Sequence, residues 1–281
     1  MILGQWNLIN IIETKKDKII YKVVPIIEND EISNKLKNEL LNSEWVMKVI
    51  KNDDTEVNII NNLLLYNNPF CIKMPIDYTF RSRISNTKSW YTMELYESNI
   101  KQKFNYAKHK IKLLISNIID FLEWLHIKQQ RVHGDIKPDN ILFKQCNKRP
   151  FCLIDYENIG EIEQNICYKN LPNGYYYYAL GCESDKPYMS YRMDLQAFGF
   201  ILWSLSLSIE TYYSFPWQNQ AFTYYNNKKT TNDFNNLNKI RDLNNVPKNE
   251  LITSYFKIIS EVGWYDNVVD SEIYNKIRKI I

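Results

Sequence analysis

Residues 133–140 read HGDIKPDN, and they stand between two segments whose patterns leave them little freedom. Ahead of them, residues 106–127 place Ile111, Leu114, Ile115, Ile118, Ile119, Leu122 and Leu125 at the spacing of one helix face. Behind them, residues 141–143 and 151–154 are short apolar runs of strand length. The eight-residue stretch is therefore a polar loop pinned at both ends to a core. A simple polar turn is the bland alternative, but it does not call for Asp, Lys, Pro and Asn at these offsets.

The chain ahead of the loop has a different character. Residues 8–12 and 19–24 are β-branched runs, and residues 13–18 between them predict a hairpin. Residues 28–43 are polar with Leu and Ile at helical spacing, which fits an inserted helix or a long connection. Residues 45–50 predict a strand, and Asp53, Asp54 and Thr55 the start of a helix over 56–66 with Val57, Ile60, Leu63 and Leu64 on one face. Residues 70–74 and 90–95 complete an expected five-stranded sheet. Beyond the loop, helical patterns run over 195–208, 251–262 and 269–280. The expected architecture is α+β: a small antiparallel-sheet lobe over residues 1–96 and a larger, mainly helical lobe over 97–281, within one domain.

The loop's residue types suit phosphoryl transfer, which needs positioning and charge neutralisation more than covalent help. Asp135 can accept the proton of an attacking hydroxyl. Asn140, five residues on, can lend its amide oxygen to a metal, and Lys137 can balance charge on a transferring phosphoryl group. Asp155, at the exit of the 151–154 strand, is a second candidate metal ligand. Upstream, Lys48 stands in the strand EWVMKV, and Glu56 at the next helix start could pair with it. An ordinary surface lysine and a helix-start glutamate favoured by the dipole are the bland alternatives for these two. Lys22, in a similar strand, is a rival for Lys48.

Composition narrows the classes. Apolar residues make up 45% and charged residues 24% of 281, with a net charge of +3, so nothing demands a nucleic-acid partner. The five cysteines (71, 146, 152, 167 and 182) form no C-x-x-C pair, and reduced core thiols are the expectation, in a cytoplasmic or nuclear compartment. The start, MILGQWNLIN, lacks the basic region of a signal peptide, and no apolar run is long enough for a bilayer. A soluble monomer is expected.

Taken in order, EWVMKV, YTMELY, HGDIKPDN, LIDYE, Asp194 within YRMDLQAFGF, and FPWQ resemble the motifs of eukaryotic-type protein kinases. Lys137 is similar to the Ser/Thr class. The HGD form, with Gly134 where Arg is more usual, and DY in place of DF look like the casein-kinase/vaccinia-related group. That resemblance implies ATP and Mg²⁺ as cofactors and Ser/Thr hydroxyls of proteins as substrates. It further implies Asp135 and Lys137 as catalytic residues and Asn140 and Asp155 on the metal. For ATP it implies Lys48 and Glu56, Met93 as gatekeeper, Glu94 and Tyr96 as hinge contacts, and Val46 and Leu142 about the adenine. Asp194 would hold the catalytic-loop backbone, and Gly174 would precede it in the activation region.

Two departures bear on activity. No glycine stands between Gly4 and Gly134, so the loop that usually covers ATP phosphates, best placed at residues 13–18, cannot be glycine-rich. Lys15, Lys16 and Lys18 could substitute electrostatically. Glu157 stands where a glycine follows the metal-binding Asp. An active Ser/Thr kinase, a pseudokinase scaffold and a small-molecule kinase on the same fold are the readings left open.

Overall fold

The computed structural model describes residues 2–3, 5–27, 33–51, 53–75, 81–85, 88–145, 149–161, 190–206, 249–263, 266 and 269–281. Gly174, the FPWQ element and Cys146, Cys167 and Cys182 lie outside them. The chain forms two compact units, Met1–Glu97 and Ser98–Ile281.

The first unit is built on an antiparallel sheet of six strands: β1 (Ile2–Leu3), β2 (Trp6–Thr14), β3 (Lys18–Pro25), β4 (Trp45–Lys51), β5 (Arg81–Ser85) and β6 (Lys88–Glu94). Their order is β1-β2-β3-β4-β6-β5. Strand β4 lies between β3 and β6 and is buried on both faces, which is why it reads as a continuous apolar run rather than an alternating one. Trp45, Met47 and Val49 join Trp6, Val23, Leu40 and Trp90 in one cluster. Helix α1 (Asn34–Leu41) supplies Leu40 to it, and the Trp45 indole N–H donates to the Leu40 carbonyl at 2.9 Å. The inserted helix is thus what lets a strand with two tryptophan neighbours stay dry. On the opposite face Val46, Lys48 and Ile50 stand with Tyr91 and Met93, their register partners being Lys48↔Tyr91 and Val46↔Met93.

The sheet differs from expectation at both edges. Residues 70–74 form no ladder: Asn68 turns the chain by accepting from the Phe70 and Cys71 amides, and Cys71, Ile72 and Met74 fill core space without strand pairing. The outer strand there is instead β5, and β1 adds a further strand beyond β2, so the sheet has six strands rather than five. Helix α2 (Thr55–Asn62) is also shorter than its apolar pattern predicts. It ends before Leu63, and Leu64 takes a left-handed conformation (φ 50°) with its side chain exposed.

In the second unit the predicted long helix is broken at Lys110 into α3 (Phe104–His109) and α4 (Ile111–Glu123). A wider, π-type turn over Trp124–Lys128 follows α4. Short strands β7 (Ser98–Asn99), β9 (Ile141–Phe143) and β10 (Phe151–Leu153) pair in the order β10-β9-β7. β8 (Arg131–Val132) pairs with β11 (Gly160–Glu161). Helix α5 (Tyr191–Ser206) is buried at every position except Arg192 and Ser206. Helix α6 (Glu250–Ile259) packs on it at Gly199, where a Cβ would lie 2.9 Å from the Tyr255 ring and 3.0 Å from the Phe256 ring. Helix α7 (Ser271–Lys279) presents Ile273, Tyr274 and Ile277 to α4, and Arg278 reaches Asp120 at 2.8 Å. Among the described residues no helix is long and apolar enough to cross a membrane.

Candidate active site

Residues 133–140 form the loop between β8 and β9, and its backbone is fixed from below by Asp194. Asp194 lies inside the first turn of α5 rather than capping it, and its carboxylate turns out of the helix. Oδ2 accepts the His133 amide at 2.6 Å and Oδ1 the Gly134 amide at 3.0 Å. Gly134 takes φ 77°, a conformation that favours a residue without a Cβ. His126, brought inward by the π-type turn, meets Asp194 Oδ2 through Nε2 at 3.0 Å and the Tyr274 hydroxyl through Nδ1 at 2.5 Å. Buried charge-assisted hydrogen bonds of this kind are strong because no water competes for them. Burial drives the Tyr274 and Tyr255 hydroxyl pKa values well up, with the Asp194 charge adding to the effect.

Above this base the loop's side chains converge on Asp135, which is 1% exposed. Its Oδ2 accepts from the Lys137 ammonium at 2.6 Å and from the Asn140 amide nitrogen at 2.8 Å. The same Asn140 nitrogen donates to the Asp135 carbonyl at 2.9 Å, which turns the amide oxygen of Asn140 away from Asp135. Oδ1 of Asp135 is buried without a hydrogen-bond partner in the described structure. An orphaned carboxylate oxygen of this sort costs free energy unless a donor reaches it. His133 is fully buried, and its Nδ1 lies 3.3 Å from the Asp135 amide. Burial lowers the His133 pKa, against the opposing pull of Asp194, Asp135 and Asp155 and of the Ile154 carbonyl, so the ring is neutral at pH 7.

Asp155 leaves β10 in a left-handed conformation (φ 70°, ψ 69°), which aspartate tolerates better than most residues. The Ile154 amide just before it donates to the Asn140 carbonyl at 2.9 Å, so the two candidate metal ligands stand on hydrogen-bonded backbone. Tyr156 points into the core, with its hydroxyl on the Leu153 carbonyl at 2.9 Å and its ring 6.2 and 6.3 Å from Phe121 and His133. The residue after Asp155 thereby locks the exit of β10. Leu142 is half-buried at the centre of β9, paired with Cys152 and Asn99.

The remaining sequence candidates belong to the first unit. The Lys48 ammonium meets Glu56 Oε2 at 2.6 Å, and both residues are buried, so neither is the surface group of the simpler reading. Lys22 is spent on a more exposed pair with Glu44. Val46 and Met93 lie side by side across β4 and β6, and Glu94 and Tyr96 follow at the end of β6, both largely buried. One participant escaped sequence reasoning. Tyr91 donates its hydroxyl to Glu56 Oε1 at 2.9 Å, and period-two alternation along β6, which sets 91 beside 93 on the Lys48 face, was the available signal. His126 and Tyr274 were missed as well, because only the folded chain brings them to Asp194.

Within residues 13–18 the ends belong to β2 and β3, and residues 15–17 form the closed turn between them. The Lys15 amide donates to the Lys18 carbonyl at 2.8 Å, Asp17 accepts the Lys51 amide at 2.8 Å, and Lys15 pairs with Glu13 at 2.9 Å.

This fold, with an aspartate and asparagine held together in a loop and a buried Lys–Glu pair in the sheet, defines a phosphotransferase scaffold. The protein kinase domain profile matches residues 13–262, and the chain belongs to that family. It is 34% identical over 101 residues to the putative serine/threonine-protein kinase L205 of Acanthamoeba polyphaga mimivirus, covering 32% of this chain and 18% of that one. Over 135 residues it is 28% identical to dual specificity tyrosine-phosphorylation-regulated kinase 3 of Rattus norvegicus, covering 47% and 22% respectively. The chain thus spans only about a fifth of the length of these curated relatives. The structure of vaccinia related kinase 3 matches all of this chain and 89% of its own at a TM-score of 0.67 and 14% identity, a likeness of fold.

Proposed function

We propose that the chain is an active protein serine/threonine kinase, which transfers the γ-phosphoryl group of ATP to protein hydroxyls. The observation that carries this reading is Asp135, whose carboxylate is held on one oxygen by Lys137 and Asn140 while the other is buried and lacks a donor. A substrate hydroxyl supplies that donor. Oδ1 then takes the hydroxyl proton as the oxygen attacks phosphorus, a role worth roughly 10²–10⁴ in rate. Lys137, already fixed on Oδ2, keeps its ammonium against the Asp135 carboxylate and can neutralise phosphoryl charge. The relatives' names, a Ser/Thr kinase and a dual-specificity kinase, support a protein hydroxyl as acceptor.

Asn140 and Asp155 offer the hard oxygen donors that a magnesium ion prefers, and the turned-out amide oxygen of Asn140 fits that use. Bound Mg²⁺ supplies charge neutralisation on the phosphates. Lys48, oriented by Glu56, serves the α- and β-phosphates, and Val46, Met93, Glu94, Tyr96 and Leu142 serve the adenine.

A pseudokinase that binds a partner without turnover is the second reading, and the turn at residues 13–18 favours it. The Lys15 amide is satisfied within the turn, and no glycine there lets the backbone approach a phosphate. Transfer of radiolabelled phosphate from ATP to casein and basic proteins, with Asp135→Ala as control, separates the two. Transfer well above the control is expected. A magnesium–ATP thermal shift with no transfer would establish the scaffold, and neither signal would remove the kinase reading altogether.

A further inference from the structure

We infer that Tyr91 is a positioning residue for the Lys48–Glu56 pair, holding Glu56 so that the Lys48 ammonium is fixed before any nucleotide arrives. The residues lie within one unit and all are buried: Tyr91 and Glu56 are 1% exposed and Lys48 is 5% exposed. Register places Tyr91 directly across from Lys48 on adjacent strands, so their side chains leave the same face of the sheet. Glu56, in the first turn of α2, reaches that face with both carboxylate oxygens engaged. Oε1 accepts the Tyr91 hydroxyl at 2.9 Å and Oε2 meets the Lys48 ammonium at 2.6 Å. The ammonium also lies 5.9 Å from the centroid of the Tyr91 ring. One side chain therefore supplies the carboxylate with a donor and the ammonium with an aromatic face.

A second bond from the same strand strengthens the case. Ser89, two residues earlier on β6, donates its hydroxyl to the Asp53 carbonyl at 2.6 Å, just ahead of α2. Asp53 in turn caps the Thr55 amide at 2.8 Å. Alternate residues of β6 thus tie down the start of α2, one through its backbone and the other through Glu56. The helix is docked on the strand that faces Lys48, and the ion pair is assembled entirely within this unit.

Packing alone would make Tyr91 a large core residue that phenylalanine replaces without consequence. The hydroxyl distinguishes the two roles, because its removal leaves a buried carboxylate oxygen short of a donor. Glu56 then holds the ammonium less tightly, and the Lys48 amine leaves the pair more often to meet a reagent.

The consequence for catalysis rests on the kinase reading, whereas the test of the geometry does not. The free protein is acylated with a small amine-reactive ester at pH 8, and the rate at Lys48 is read by mass spectrometry against exposed Lys112. Tyr91→Phe should raise the relative rate by about fivefold to tenfold, and Glu56→Gln by at least as much, with the Tyr91→Phe melting temperature near that of the wild type. If phosphotransfer is present, Tyr91→Phe should lower kcat/KM for ATP by a similar factor and leave KM for the protein substrate unchanged. A Tyr91→Phe rate equal to wild type beside a raised Glu56→Gln rate overturns the inference. So does an unchanged rate in both variants, since Glu56 would then not hold Lys48. A raised rate in a protein that transfers no phosphate leaves the positioning role standing and removes the kinase reading instead.

Discussion

The carboxylate of Asp194, in the first turn of α5, accepts the backbone N–H of His133 at 2.6 Å across 61 residues of chain. That contact, with Gly134 and His126 on the same carboxylate, couples the 133–140 loop to the most buried helix among the described residues of its unit. Asp194→Asn presents an NH₂ group where an acceptor is required, so one of the buried bonds becomes a clash of donors. The expected loss is about 3–5 kcal/mol of stability, read as a lowered urea midpoint with little change in the slope. Phosphotransfer should fall further than the unfolded fraction alone explains, because Asp135 rides on the same backbone.

His133 makes stability depend on pH. Burial holds its folded-state pKa below the ordinary 6.5, while the unfolded chain keeps that value. As the pH falls below 6.5 the unfolded state binds a proton that the folded state refuses, so unfolding is favoured. The contribution is complete above 6.5 and is lost progressively down to the folded pKa. Melting temperatures of wild type and His133→Gln at pH 7.5 and 5.5 should show a steeper fall for the wild type. Equal slopes would mean that the ring titrates freely.

Gly199 carries a close approach between α5 and α6. A Cβ there meets two buried rings at 2.9 and 3.0 Å, and Tyr255 is further pinned by its hydroxyl on the Leu195 carbonyl at 2.8 Å. Gly199→Ala sets a gain of about 1 kcal/mol in helix propensity against overpacking. Gly199→Val adds branching, which crowds the rings further, and should destabilise by about 1–3 kcal/mol. Chemical denaturation of the two variants checks the order: Val below Ala, and Ala no better than wild type.

Arg278 ties α7 to α4 through Asp120 and Glu123, with all three side chains part-exposed. Solvent screening discounts such a network, so Arg278→Met should cost only about 1 kcal/mol. The difference from wild type should shrink as salt is raised. A salt-independent loss would point to packing of the side-chain stem instead.

The parts of the fold legible in the sequence were those where burial or chemistry leaves few choices. The α4 stripe from Leu114 to Leu122 is legible because one helix face must be apolar, and the loop around Asp135 because proton transfer and metal binding need particular groups at fixed offsets. Strand β4 was legible for the same reason. Elsewhere the pattern misled. Cys71, Ile72 and Met74 are buried like strand residues but pair with no ladder, whereas β5, whose sequence is RSRIS, is held by backbone pairing with β6 that side-chain type does not announce. The break at Lys110 and the end of α2 at Asn62 carry no proline or glycine to mark them. His126 and Tyr274 could not be assigned, since their partners lie 68 and 148 residues away, whereas Tyr91 was marked only by its place in the β6 alternation.

The turn between β2 and β3 is closed by backbone bonds at Lys15 and Asp17, and none of its residues is a glycine. Its chain therefore has little configurational entropy left to surrender when something binds against it. A ligand gripped there is met by lysine ammonium groups and their displaced counterions, not by a backbone that must first be ordered. Calorimetry of nucleotide binding should then report a favourable entropy that fades with added salt, where a flexible glycine loop would report an ordering cost.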